Sequence, residues 1–328
     1  MDFLRLSSTD PYFNMAFDQS CLQEPEVEEP VFYLWQNRPS VIIGLNQSAY
    51  AEVNLPYLKD RGIDLVRRVT GGGAVYHDLQ NLNYTITGRS KDLDSDYPGF
   101  LRIVVEALRD LGVDASVSGR NDILVDGRKC SGFAKRVWQD RLMVHGTLMY
   151  DVDLEVLTEA LAIPGSKLSA AGIASVRSRV ANLKDYLPQF PDIYAFRDAM
   201  EQRMAAGGRL RTLSPERLAA IEKEAETKFR TWEWIYGRSP KADFETRRKF
   251  ACGTVGAAWS VTHGRLENLS FSGDFLGNLP AAELAVQLQG CRFEKAALLQ
   301  VLDRAKIQAG DCFDGLQNEE FLRLFFED

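Results

Sequence analysis

An α+β fold, with a larger mixed domain followed by a smaller one, is what the order of patterns along this chain predicts. Strand-like runs such as VFYLW (31–35) and SVIIG (40–44) are interleaved with segments of helical spacing such as 100–111. The stretch RRVTGGGAVYHDLQNL (67–82) sets three consecutive glycines between two segments that alternate as strands do. YGRSPKAD (236–243) has the composition of a linker, and the pattern changes beyond it. The expected division is therefore 1–243 and 244–328.

The elements follow in order. Residues 3–6 form a short opening strand, and Asp10-Pro11 starts a helix whose partly apolar face carries Met15, Ala16, Cys21 and Leu22. EPEVEEP (24–30) is a charged, proline-bounded loop. After the two strands at 31–35 and 40–44, a helix is expected over 55–61 and strands over 65–69 and 82–87. The glycine stretch between those last two is thus a loop with both ends anchored in a sheet, the usual placement for site residues. Ile103, Val104, Ala107, Leu108 and Leu111 share one face of a helix closed by Gly112. Strands at 122–125 and 142–150 flank a glycine-containing basic loop at 127–136. A helix over 151–162 is capped near Asp151 or Asp153 and ended by Pro164-Gly165, and 166–184 is a polar loop. Helices follow over 194–204 and from Ser214-Pro215 to about 232–234, the latter with an N-cap hydroxyl and proline in its first turn. Beyond the linker, 250–261 and 266–271 suggest a small antiparallel sheet with a turn at 262–265. Helices near 281–288, 294–304 and 318–325 complete the chain.

With 328 residues, 45% hydrophobic and 26% charged, the chain is long enough for one substantial core and a second smaller one. A net charge of −7 argues against a general binder of nucleic-acid backbone. The five cysteines (Cys21, Cys130, Cys252, Cys291, Cys312) lack paired metal-ligand spacing, which suits free thiols in a reducing compartment. The N-terminal stretch has no basic segment followed by a long apolar run, and no stretch reaches membrane-spanning length. A cytoplasmic protein without a membrane role is expected.

The candidate chemistry is concentrated in three stretches. The glycines of 71–73 let backbone N–H groups approach a ligand and form a nest for anionic oxygens, while Arg67 or Arg68 is placed to clamp a carboxylate or phosphate. The competing account is a tight turn beside a solvated arginine pair. In VDGRKCSG, the amine of Lys129 would neutralise charge developing on a bound ligand. An exposed lysine in a hairpin turn accounts for it equally, because Asp-Gly is a strong turn dipeptide. Asn121 and Asp122 follow a glycine and an arginine; Asp122 would hold Mg²⁺ opposite phosphate oxygens, or both would satisfy their own turn. His77 and His145 are two of three histidines, suited to bonding a substrate or to a satisfied core position. Arg177 and Arg179, with Ser175, Ser178 and Asn182, make a donor-rich loop able to fold over a phosphate. Cys130, flanked by Arg128 and Lys129, raises the question of a thiolate nucleophile, with no histidine beside it in sequence. Neither a P-loop nor a dinucleotide fingerprint is present.

Taken together, RRVTGGGAVYHDLQNLNY (67–84), GRNDI (119–123), GRKCSGFAKR (127–136), HGTLMYDVD (145–153) and KLSAAGIASVRSRVANL (167–183) resemble the lipoate–protein ligase A family, within the wider biotin/lipoate protein ligase fold. WEWIYGRSP (232–240) resembles the end of the large domain in two-domain ligases, and the residues after about 245 look like their C-terminal accessory domain. The resemblance implies mixed sheets with helices and a two-step reaction. Lipoate attacks the α-phosphorus of ATP to give lipoyl-adenylate, with Mg²⁺ assisting. A lysine amine of an apo lipoyl domain of a 2-oxoacid dehydrogenase E2 subunit, or of glycine-cleavage H protein, then takes the acyl group.

Carried over residue by residue, the resemblance implies that Arg68, Thr70, Gly73, Ala74, Val75, Tyr76 and His77 line the lipoyl or adenylate pocket. Lys129 contacts the carbonyl and phosphate of the intermediate. Asn121 and Asp122 lie on the nucleotide and metal side, with Ser131, His145, Gly146 and Thr147 also at the binding site. Lys167, Ser178 and Arg179 belong to the loop over the adenylate. Leu45, Val75 and Tyr76 are expected to form the slot for the dithiolane. Cys130, Phe133 and Gln80 depart from the family pattern. The alternative function within the family is an ATP-independent lipoyl or octanoyl transferase.

Overall fold

The computed structural model describes residues 1–23, 30–90, 93–118, 122–161, 178–273, 275 and 278–326. The chain divides into two compact units, one built from Met1–Leu45 with Tyr57–Thr231, the other from Asn46–Pro56 with Trp232–Asp328.

The first unit contains β1 (Asp2–Arg5), β2 (Val31–Trp35), β3 (Ser40–Ile43), β4 (Asp64–Arg67), β5 (Val75–His77), β6 (Asn81–Arg89), β7 (Ala115–Ser118), β8 (Asp122–Val125), β9 (Arg128–Trp138), β10 (Arg141–Met149) and β11 (Leu210–Arg211). Eight of them form a mixed sheet in the order β11-β1-β2-β6-β10-β9-β8-β7, and β4-β3-β5 form a separate sheet of three. The glycine stretch therefore joins β4 to β5, both of which flank β3. From there the chain returns to the large sheet at β6. The short strand β5 is absent from the sequence expectation, because three residues give no period to read.

β6 shows how the site is positioned. All of it except Arg89 is buried. Leu82, Tyr84 and Ile86 pack into the core with Val104 and Leu108 of helix Leu93–Asp110 and Phe196 and Met200 of helix Ile193–Ala205. Asn81, Asn83, Thr85 and Thr87 face the other way and are buried as well. The same alternation continues in β10, with Leu142, Val144 and Leu148 in the core and His145 and Thr147 on the polar side. Helix Pro11–Gln23 supplies the buried Asp18 that reaches His145 and Thr85 from across that face. Its start is held by Asp10, whose Oδ1 accepts from the Tyr12 amide at 2.9 Å.

The expected basic loop at 127–136 is instead the body of strand β9, paired to both β8 and β10. The reversal is confined to Asp126 and Gly127, both with positive φ (49° and 71°), the conformation a two-residue hairpin demands. Helix Leu93–Asp110 begins earlier than its apolar spacing indicates, and helix Pro215–Glu224 continues as a wider π-helical turn over Ala225–Phe229, then breaks before the short helix Trp232–Ile235. In the second unit β12 (Ala242–Phe250), β13 (Gly253–Thr262) and β14 (Arg265–Gly273) form an antiparallel sheet in that order. β12 was hidden by the charges of ADFETRRKF. Trp259, Phe293, Phe313 and Phe321 centre the core of this unit, with helices Ala281–Leu288 and Lys295–Arg304 packed into it.

Candidate active site

Within the first unit the glycine stretch, β9 and β10 enclose a cleft of about 590 Å³ counted to its open mouth. Its shape begins with Arg68. The guanidinium is almost fully buried and bonds inward, to the carbonyls of Ile42 (3.0 Å), Gly71 (2.7 Å) and Gly73 (2.8 Å) and to Thr70 Oγ1 (2.9 Å). Burial lowers its pKa to about 10, so it stays charged at neutral pH. Arg67 is wholly buried and donates to the carbonyls of Gly44 and Leu45. Arg68 thus holds the glycine loop by its carbonyl oxygens, while Arg67 ties down the chain that leaves β3. Because a trans peptide aims its C=O and N–H oppositely, and no cis bond is present, the amides of Gly72 and Ala74 point away from Arg68. Gly72 has φ +93°, and a Cβ at Gly44 would lie 2.1 Å from the Gly72 carbonyl oxygen, so both glycines are required by the approach of β3 to the loop.

Behind the loop lies a buried polar relay. Asp18 Oδ2 meets His145 Nδ1 at 2.7 Å, and His145 Nε2 meets Thr70 Oγ1 at 2.7 Å. Asp18 Oδ1 also accepts from Tyr33 Oη and Thr85 Oγ1. One chain of donors satisfies every member: Arg68 donates to Thr70, Thr70 to His145 Nε2 and His145 Nδ1 to Asp18. The charges of Arg68 and Asp18 are thereby linked through two side chains, which keeps both from being isolated in a dry interior. His77 is neutral, its pKa lowered to about 3 by burial first and by the nearby Arg68 charge second. Asp78 serves the backbone, accepting from the amides of Gln80 (2.8 Å) and Asp153 (3.1 Å).

Lys129 lines the cleft, and its ammonium meets Asp122 Oδ1 at 2.7 Å, both side chains about one-third exposed. The pairing of β8 with β9 skips a residue there: Ser131 opposes Ile123 and Lys129 opposes Leu124, leaving Cys130 as the extra residue of a bulge. Bulges re-aim side chains beside active sites. Cys130 is fully buried in the core, its Sγ donates to the Ile123 carbonyl, and burial pushes its thiol up to about 12. It is a packed apolar residue and not a thiolate. The backbone of Lys129 is also bridged by Val180, with the Ala181 amide bonded to the Lys129 carbonyl at 2.9 Å.

Of the residues singled out from sequence, Arg68, Gly73, Ala74, Val75, His77, Lys129, His145, Gly146 and Thr147 line the cleft together. Thr70 stands one bond behind, in the relay. Tyr76 and Ser131 are buried outside the lining, and Leu45 is not part of it. Asp122 is at Lys129. Ser178 and Arg179 are exposed residues just before Val180. Asn121, Lys167 and Arg177 lie outside the described residues.

The apolar wall comes from Met15, Trp35 and Ile42, with Phe133 opposite, and Asn83 adds a polar group. Sequence reasoning missed these apart from Phe133, because they come from separate strands and a helix. One signal was available: Asp18 is a lone acid within MAFDQSCL, and an acid on a buried helix face needs a built partner. Among the described residues no cluster of three or more His, Cys, Asp or Glu side chains is placed to hold a metal ion.

The lipoyl protein ligase A/B catalytic domain family matches residues 10–205, and the bacterial lipoate protein ligase C-terminus family matches residues 239–325. The chain belongs to the lipoate–protein ligases. It is 35% identical to the lipoate-protein ligase LplJ of Bacillus subtilis over 97% of each chain. It is 37% identical to lipoate–protein ligase 1 of Staphylococcus aureus, over 96% of this chain and 97% of that one. Among solved structures, a bi-partite lipoate protein ligase from Thermoplasma acidophilum, described with its E2 lipoyl domain, matches 72% of this chain and 96% of its own, at 30% identity and a TM-score of 0.67. A lipoate-protein ligase A bound with ATP matches 72% and 98% (29%, TM-score 0.64), and a putative ligase from T. acidophilum with bound lipoic acid matches 72% and 98% (28%, TM-score 0.62). The α+β fold of mixed sheets with helices, and a ligase's catalytic domain, are therefore this chain's own.

Proposed function

We propose that this protein activates lipoate with ATP and transfers the lipoyl group to a lysine of a lipoyl domain, such as that of an E2 subunit or glycine-cleavage H protein. The observation that carries this reading is the Lys129 ammonium, set by a bulge at an apolar-walled cleft and held in place by Asp122. In the first step a carboxylate oxygen of lipoate bonds to the α-phosphorus and pyrophosphate leaves. In the second the lysine nitrogen of the acceptor bonds to the acyl carbon and AMP leaves with the electron pair. Lys129 offsets the negative charge that accumulates where the carboxylate meets phosphate. The loop amides of Gly72 and Ala74 add donors that need no reorganisation, since Arg68 already fixes their peptides. Met15, Ile42 and Val75 give the acyl chain an apolar wall that excludes water from the mixed anhydride. The relatives described with ATP and with lipoic acid support the choice of substrates.

Asp122 alone does not make a magnesium site, because its carboxylate is engaged by Lys129; Mg²⁺ would arrive held chiefly by the nucleotide phosphates.

Pyrophosphate release by the purified protein with lipoate and ATP, with and without an apo lipoyl domain, tests the reading. Lys129→Ala should lower lipoate-dependent release about 100- to 1,000-fold. Transfer of lipoyl between domains without ATP would replace this reading by the transferase. Burial of Cys130 already removes the most obvious acyl-accepting thiol for that alternative.

A further inference from the structure

Two residues that line the cleft each carry a buried nitrogen without a protein acceptor, and we propose that these nitrogens recognise the dithiolane sulfurs of the substrate. Asn83 and His77 would then favour a sulfur-bearing acyl chain over a plain alkyl chain of the same length. This deepens the lipoate reading and rests on it.

The hydrogen-bonding pattern fixes His77 as a donor, and the structure presents Asn83 as a second one. Asn14 Nδ2 bonds Asn37 Oδ1 at 2.8 Å, so Asn37 presents its Nδ2 to His77 Nδ1 at 3.1 Å. His77 Nδ1 is therefore the acceptor, and the ring proton sits on Nε2. Asn81 Nδ2 bonds Asn83 Oδ1 at 2.8 Å, which leaves Asn83 Nδ2 as the unengaged end of that amide. Among the described residues neither His77 Nε2 nor Asn83 Nδ2 has a partner, although their side chains are 3% and 1% exposed and both line the cleft. Buried donors of this kind are ordinarily matched by an acceptor.

Register places Asn83 at the far end from the amine, and the His77 ring packs edge-on against Trp35 there, 5.9 Å between centroids. Trp35, Asn83 and Thr147 stand opposite one another on β2, β6 and β10, and Thr147 Oγ1 accepts from the Gly132 amide on β9. The Lys129 amine lies against Gly132, 3.1 Å from where a Cβ would be. Asn83 is thus two strand spacings from that point, about 10 Å. An extended eight-carbon acid spans roughly 8–9 Å at the per-bond reach of an extended chain. With its carboxylate at Lys129, its ring sulfurs meet Asn83 and His77. Divalent sulfur is a weak acceptor, yet a methylene is none, so a plain alkyl chain leaves both donors unsatisfied.

Calorimetric titration of the full chain with lipoate and with octanoate tests this. Wild type should bind lipoate about tenfold more tightly. Asn83→Leu, of similar size without the donor, should weaken lipoate about tenfold while leaving octanoate unchanged or tighter; Asn83→Ala repeats the test should the leucine variant not fold. An unchanged lipoate-to-octanoate ratio overturns the proposal. Equal weakening of both acids also overturns it, by placing Asn83 at the carboxylate. Wild type that binds lipoate selectively yet releases no pyrophosphate would sink the ligase reading while upholding the sulfur contact.

Discussion

The two units solve the problem of an interior in different ways. The first buries charge: Asp18, Arg67, Arg68, Asp78 and Arg141 are all within it. In the second, the buried polar residues among those described are the hydroxyls Ser48, Ser239 and Ser260, around a core of packed aromatic rings. Phe313 alone has Phe271, Phe275 and Phe321 within ring-contact distance. Buried charges are costly unless each is matched, so their concentration marks where structure serves chemistry. The aromatic core is a matter of burial and shape alone.

Removing one member from each interior should expose the contrast. Asp18→Ala strips an acceptor from Tyr33, Thr85 and His145 and should cost about 3–5 kcal/mol, as breaking a buried pair does. Phe313→Ala should cost about 3–5 kcal/mol by leaving a cavity. The two part company on rescue, measured by urea unfolding. Asp18→Asn, which still accepts bonds, should recover part of the loss, whereas Phe313→Leu should recover most of its loss by volume alone.

A smaller effect sharpens the comparison through pH. His77 titrates near 6.5 when unfolded and near 3 when folded, burial being the main cause. Between those values the unfolded chain binds the proton and the folded chain does not, so stability is fully present above about 6.5 and is lost as pH falls toward 3. His77→Gln should flatten part of that slope in unfolding titrations from pH 7 to 4. The smallest effect expected is that of Cys130→Ala. It should cost about 1 kcal/mol of stability and leave pyrophosphate release and acyl transfer unchanged. A loss of transfer alone would instead make the cysteine part of the chemistry.

Much of the fold was legible where residues repeat at a clear period. VFYLW and SVIIG read as strands and are strands, and Ser214-Pro215 starts a helix with Ser214 accepting from the Arg217 amide. β9 was misread because its glycine and four basic residues look like a loop, while its pairing on both sides is decided by distant strands. β6 taught the subtler lesson. Its Asn and Thr residues alternate with Leu, Tyr and Ile, a pattern ordinarily half solvated, yet both faces are buried because the polar one faces the cleft and the relay. Lys129 and the glycine loop were visible as motifs. The inward turn of Arg68 was not, since a guanidinium clamps its own carbonyls or a ligand's oxygens with the same geometry.

The pocket-facing rows also dictate when the site comes into being. Each row draws residues from chain positions far apart, as Trp35, Asn83 and Thr147 do, or Tyr33, Thr85, His145 and Ala134. The β9–β10 hairpin closes a short loop and is free to form early, but the rows need β2 and β6 to return across long stretches of chain, which is slow. The cleft is therefore a late product of folding. A ligand of the cleft can hold the finished structure by mass action, yet it has nothing to grasp while the strands are still finding their neighbours.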